Sequence, residues 1–151
     1  MDCPKFPRRQ AYSKPHATDG QFNPMTDSNG LLQQEGYDFM AAAFEVYNEL
    51  GSGFLEDPYQ EALEIELTDR GIPFAPKPKL PIFYKGRQLR KHYEADLFVT
   101  DGIIVELKAV HLLAPEHEAQ LINYLKATRK RVGYLVNFGA FPKLQWKRVV
   151  L

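Results

Sequence analysis

At 151 residues, 44% of them hydrophobic and 25% charged, the chain has the size and composition of one ordinary globular domain and excludes a fibre or a disordered hub. No run approaches the roughly 18 apolar residues of a membrane span, the first thirty residues lack a secretory h-region, and the single cysteine, Cys3, can neither pair internally nor furnish a zinc cluster; a cytoplasmic protein is predicted. The net charge of zero argues against indiscriminate coating of nucleic acid, yet residues 35–70 carry ten acidic side chains against one basic, whereas residues 71–151 carry fourteen basic against six acidic. That split suits a local positive face for a phosphate backbone and equally suits chance clustering on a solvated surface.

Residues 1–34, rich in Pro, Asp, Asn, Ser, Gln and Gly and without periodicity, are expected to form a flexible extension outside the domain at 35–151. Met40, Ala43, Phe44, Tyr47 and Leu50 recur at helical spacing and predict a helix over 35–50 that stops at Gly51. Asp57, Pro58 and Gln60 look like an N-cap, a first-turn proline and a capping-box partner for a second helix over 58–70. Three strands are predicted next, at 79–84, 88–99 and 103–109, with turns at Lys85-Gly86-Arg87 and Asp101-Gly102; Pro81 points to an edge. Pro115 can open a helix over 115–129, VGYLVNF at 132–138 suits a strand buried on both faces, and WKRVVL ends the chain as a strand or tail. The order implies a mixed α/β sheet with helices against it.

The stretch YEADLFVTDGIIVELKAVH, Tyr93 to His111, sets two carboxylates and a lysine into an otherwise apolar hairpin. A two-residue turn at Asp101-Gly102 would put Asp96 opposite Leu107; a three-residue loop, Thr100-Asp101-Gly102 with Gly102 left-handed, puts it opposite Glu106. The second register also gathers positions 95, 97, 99, 103, 105 and 107 on one face, so the apolar pattern favours it. Opposed carboxylates repel, and a divalent cation relieves them: Mg2+ is served by two carboxylates and one backbone carbonyl, here that of Leu107, with Lys108 positioned to orient a water or stabilise developing charge. A polar outer face lined by Glu94, Asp96, Glu106 and Lys108 explains the same residues without function.

The spacing D-x9-E-L-K on adjacent strands, followed by a helix, resembles the core of the PD-(D/E)-x-K nuclease superfamily. Gly53-Phe54-Leu55-Glu56-Asp57-Pro58-Tyr59 reads G-x-x-E-x-x-Y, and with AAFEVYNELGSGFLE, YKG, ADL, IIVELKAV, HEAQLINYLKAT and VGYLVNFG the region 40–151 is similar to the GxxExxY protein family. The resemblance implies a restriction-endonuclease-like αβββαβ core, Asp96 and Glu106 as metal ligands, Lys108 as the catalytic lysine, Glu56 as an added acidic residue from a core helix that also serves as a catalytic residue and metal ligand, and Gln120 as a catalytic glutamine. Ala95 stands where the superfamily usually has proline.

Three activities follow as expectations. A Mg2+- or Mn2+-dependent nuclease acting on nucleic acid, DNA ahead of RNA, leads, with Lys77, Lys79, Lys85, Arg87, Arg90, Lys91, Arg129, Lys130 and Arg131 free to neutralise phosphates. A catalytically silent nuclease-fold module that binds nucleic acid or a protein partner is the alternative, and a homodimer that docks its charged halves is the third. Tyr59, Tyr124 and Trp146 are expected to pack rather than contact substrate, and His117 shares a helical stripe with Gln120 and Tyr124.

Overall fold

A computed structural model describes residues 30–151. The first helix, α1 (Gln33–Leu50), begins two residues before the expected start and ends at Gly51, whose φ of 69° is left-handed and whose N–H bonds the Tyr47 carbonyl. Its buried stripe is Phe39, Met40, Ala43 and Val46; the expected stripe is rotated, because Phe44 faces outward at 40% exposure. Residues 1–29 of the extension expected over 1–34 lie outside the described residues; its end does not stand apart from the fold as expected, because Leu31 and Leu32 pack on the core.

The second helix, α2 (Glu56–Asp69), opens at Glu56 after an extended Leu55, so Asp57 is not its N-cap and no side chain caps it. Tertiary packing sets this start. The Tyr59 ring is fully buried and stacked on Phe138 at 4.6 Å, and its hydroxyl donates to the Gly51 carbonyl and accepts the Phe54 N–H, pinning the connecting loop. Pro58 still falls in the first turn, where a missing N–H leaves no helical bond unmade. Tyr59 is therefore the packing residue expected of it.

A short strand that the sequence did not announce, β1 (Phe74–Pro76), precedes β2 (Lys79–Tyr84), β3 (Arg87–Glu94), β4 (Leu97–Val99) and β5 (Ile103–Lys108). The single strand expected over 88–99 breaks at Ala95-Asp96. There the Ala95 N–H turns to the Pro78 carbonyl and the Asp96 carbonyl accepts the Lys77 N–H at 2.9 Å. The bend shifts the side-chain phase by one, so Ala95 packs with Phe98 and Ile104 instead of Leu97 and Val99. It also divides the expected meander: β2 and β3 pair only with each other, and the central sheet runs β1-β4-β5-β6-β7.

In that sheet β5 and β6 (Val132–Asn137) are parallel, linked by α3 (Pro115–Thr128), while the other pairs are antiparallel and β7 (Gln145–Val150) forms an edge. Every residue of β6 is buried, as its continuous apolar run predicts. On one face, Tyr59, Leu63 and Leu67 of α2 join the α1 stripe against Leu97, Val105 and Leu107; on the other, Leu121 and Leu125 of α3 meet Ile104, Leu135 and Leu80. Each fully buried Leu or Ile contributes about 1.5–3 kcal/mol. The close seat of α3 requires Gly133, where a Cβ would lie 2.8 Å from Leu121 Cδ1. The fold is thus a mixed sheet flanked by helices, as expected. Among the described residues no helix is long and apolar enough to cross a membrane.

Candidate active site

The β4–β5 ladder pairs Leu97 with Val105, Phe98 with Ile104 and Val99 with Ile103, which is the register of a three-residue loop. Its left-handed residue is Thr100, φ 53°, and not Gly102. Thr100 Oγ1 bonds the Val99 carbonyl, while Gly102 makes room for Leu32, whose Cδ1 would lie 2.5 Å from an added Cβ.

Beyond Leu97 the ladder bends instead of continuing to a regular Asp96–Glu106 pair. Asp96 N–H reaches the Val105 carbonyl at 3.2 Å, and Asp96 Oδ2 accepts the Leu107 N–H at 2.6 Å, substituting for a ladder carbonyl. The N–H and carbonyl of a strand residue point to the same side, so the Leu107 carbonyl also faces the Asp96 side, whereas the Lys108 carbonyl turns to β6 and accepts the Phe138 N–H.

Both carboxylates are 5% exposed. Burial first, and then the Asp96 charge, push the Glu106 carboxyl up to about 8 against the pull of Lys108. Lys108 Nζ stands 3.7 Å from Glu106 Oε1 and donates to Gln120 Oε1 at 3.2 Å. Gln120 Nε2 in turn donates to the Tyr124 hydroxyl, whose pKa burial and then Glu106 raise to about 12. Glu106 Oε2 is buried with no donor group against it, and with the neighbouring Asp96 carboxylate it can only share a proton.

Glu56, at the first position of α2, joins this cluster electrostatically. Burial and then Asp96 raise its carboxyl above the ordinary range, while Lys108 and Lys77 lower it. Lys77 itself is a correction. Expected among the phosphate-facing cations, it instead places Nζ 2.6 Å from Asp96 Oδ1. Its backbone is left-handed, φ 46°, in the β1–β2 connection. Burial lowers the Lys77 pKa, but the hydrogen bond and charge of Asp96, helped by Glu56 and Glu106, outweigh it and leave it above the ordinary value.

Two further residues act here in ways the sequence did not indicate. Gln60, expected as a capping-box partner of Asp57, caps nothing; it is buried and its Nε2 donates to the Asp96 carbonyl at 3.0 Å. Asn137 is fully buried; its Oδ1 accepts the N–H groups of Val110 and Gly139, holding the chain after Lys108. His117 does not enter the cluster, since its Nδ1 accepts the Ala114 N–H and caps α3. Trp146 stacks on Tyr134 yet remains 43% exposed, at the rim of a ≈ 470 Å³ cavity with Tyr37, Met40, Phe44 and Arg148 that shares no residue with the acidic cluster.

Among the described residues no three Asp, Glu, His or Cys side chains form a ready metal-binding group. The inner donors on hand are two carboxylates and one carbonyl, all oxygen, which suits a hard cation that keeps several waters. The Glu106 oxygen with no donor against it and the Lys77 ammonium drawn onto Asp96 both mark a place that favours positive charge, so the residues fit a divalent ion.

A family model described as the PD-(D/E)XK nuclease superfamily matches residues 33–149. Among solved structures, the crystal structure of SSO0001 has a similar fold, with a TM-score of 0.50 and 18% identity over 78% of this chain; the alignment spans 60% of that chain. No curated protein matches at a significant level.

Proposed function

The chain belongs to the PD-(D/E)XK nuclease superfamily, and from that premise we propose that it hydrolyses phosphodiester bonds of nucleic acid, with Mg2+ or Mn2+ held by Asp96, Glu106 and the Leu107 carbonyl. Within the superfamily we assign it to the GxxExxY group on Gly53, Glu56 and Tyr59. The observation that carries the reading is the buried pair of carboxylates, Glu106 with no donor group against its Oε2 and Asp96 beside it, an arrangement that a polar outer face does not explain. When bound, the ion supplies positive charge to the phosphate oxygens and acidifies a water.

The protein groups have separable roles in this reading. Lys108, held by Gln120, donates to the charge that develops at phosphorus or orients the attacking water. Glu56, at the start of α2, accepts a hydrogen bond from water at the rim of the cluster. Lys77 neutralises Asp96, the carboxylate that would hold a divalent cation. The same ion pair favours a second reading, a nucleic-acid-binding module without turnover in which Lys77 permanently holds Asp96.

Thermal unfolding of the wild type and of Asp96→Asn/Glu106→Gln, each titrated with Mn2+, tests the proposal before any substrate is chosen. A site filled to 100 times its dissociation constant stabilises the fold by about 2.7 kcal/mol. A shift in the wild type that the double variant lacks, together with cleavage of a DNA panel lost in Lys108→Ala, is the expected result. No shift in either protein and no cleavage would sink it.

A further inference from the structure

The ribbon β2–β3 leaves the sheet as a two-stranded arm rooted at the acidic cluster. Its base is tied by the Lys77 N–H on the Asp96 carbonyl and the Ala95 N–H on the Pro78 carbonyl. Leu80 is buried beneath it, and Tyr93 leans on Tyr124 with ring centroids 5.2 Å apart. Beyond that base β3 is uncovered, all eight of its residues being exposed, while Pro81 and Ile82 of β2 are half-buried. Residues 79–94 carry five basic side chains against one acidic. A strand that stays wet on both sides contributes little to the core, so its sequence answers to some other requirement.

The disposition of the cations narrows that requirement. Elsewhere several basic residues are engaged within the fold: Lys77 with Asp96, Lys130 with the Asp101 carbonyl and Arg131 with the Leu151 carbonyl. On the arm, Lys79, Arg87, Arg90 and Lys91 make no ion pair among the described residues, and Lys85 rests over the Tyr84 ring. The β2–β3 register puts Lys79, Phe83, Gln88, His92 and Glu94 on one face and Tyr84 and Arg87 on the other, with Leu89, Arg90 and Lys91 in the irregular stretch between.

We propose that this arm grips double-stranded DNA beside the scissile phosphate, lying along the major groove with its cations on the phosphates of both walls. The inference rests on the nuclease reading and names its substrate class. Two strands about 4.8 Å apart, widened by their side chains, fit a groove about 12 Å across, whereas the narrow major groove of A-form RNA refuses them. Phe83 and Tyr84 are exposed at 55% and 62%, but as neighbours on a strand they point to opposite faces. They therefore cannot stack successive bases of one single strand.

The experiment measures binding of the full chain to a labelled 20-base-pair DNA duplex in EDTA from 50 to 200 mM salt, by fluorescence anisotropy. It compares the wild type, the arm variant Arg87→Gln/Arg90→Gln/Lys91→Gln and the control Lys126→Gln/Lys143→Gln/Lys147→Gln, which removes the same charge elsewhere. The arm variant should bind at least about 30-fold more weakly at 50 mM salt, and its slope of log K against log salt should fall by about 2 to 3, close to 0.9 per phosphate contact. The control should change by less than about threefold, and both variants should keep the wild-type Tm and Mn2+ shift.

Equal losses in arm variant and control would overturn the inference. An equal dependence of single-stranded DNA or duplex RNA on the arm would overturn the groove geometry. A dimer in the absence of DNA that the arm variant dissolves would show that the arm docks on the acidic α1–α2 region of a second copy, which also overturns it. Arm-dependent duplex binding without any Mn2+ shift or cleavage would uphold the arm while removing the nuclease reading beneath it.

Discussion

The two antiparallel hairpins between residues 79 and 108 follow one another directly in the chain and share the bend at Asp96, yet they live in opposite environments. In β2–β3 the charged side chains are solvated on both faces; in β4–β5 they sit in a strand pair where every residue but Lys108 is buried. The exposed charges cost almost nothing and interact weakly with the fold. The buried ones lose hydration and must find compensation, from Lys77, from the Leu107 N–H and, in the proposed enzyme, from a cation. Charge placed inside constrains chemistry, whereas charge placed outside is left to meet a partner.

The sharpest way to break this contrast is to remove charge from the buried hairpin. Asp96→Asn or Lys108→Ala should reduce DNA cleavage by at least about 10²–10³-fold while retaining a cooperative unfolding transition, read by steady-state kinetics beside calorimetry. Next in size, Gly139→Ala should cost about 1–3 kcal/mol in a denaturant melt. Its added Cβ would meet the Val110 carbonyl oxygen at 2.5 Å, where the backbone cannot yield cheaply, and would disturb the connection behind Lys108.

Proton linkage comes third. Glu106 ionises near 4.5 when unfolded and near 8 in the fold, so its contribution to stability is fully present below about 4.5 and is lost as pH rises to about 8. In EDTA the decline should approach about 1.4 kcal/mol per pH unit within that window, and Glu106→Gln should flatten it in a Tm-versus-pH series. A smaller effect is expected of Lys77→Met, which removes the resident cation from Asp96. Mn2+ affinity measured by calorimetry should rise about tenfold, and an unchanged affinity would deny that Lys77 competes with metal. Smallest of all, Arg90→Gln on the solvated hairpin should move stability by less than about 0.5 kcal/mol.

Legibility in the sequence follows the same division. The three-residue register of β4–β5 could be read because one face of that hairpin is apolar, so only one parity buries Leu97, Val99, Ile103, Val105 and Leu107 together. The all-buried β6 could be read from its unbroken apolar run, and the meeting of Lys108 with Gln120 was implied by the family resemblance. The break at Ala95-Asp96 could not be read, because alternation runs through it unchanged and only the Lys77 and Pro78 backbone contacts reveal it. Lys77, Gln60 and Asn137 share that reason: each reaches its partner across elements, so local pattern holds no trace of the contact. The start of α2 misled for the converse reason, since Asp57-Pro58 is a sound local signal that the buried Tyr59 overrides.

The loop Thr100-Asp101-Gly102 carries a consequence for how this protein can change over time. Its length is odd, and the strand that follows delivers Glu106 to one side of the sheet and Leu107 to the other. A single-residue insertion or deletion there, absorbed as a register slip, would turn Glu106 into the layer beneath α1 and α2 and bring Leu107 out in its place. Such a lesion would bring Ile104, Glu106 and Lys108 into the layer held by Ile103, Val105 and Leu107. The turn at Lys85-Gly86, with no layer to invert, is under no such restriction. Descendants of this chain can therefore lengthen or shorten the arm freely, while the span between Asp96 and Glu106 is a distance they must inherit whole.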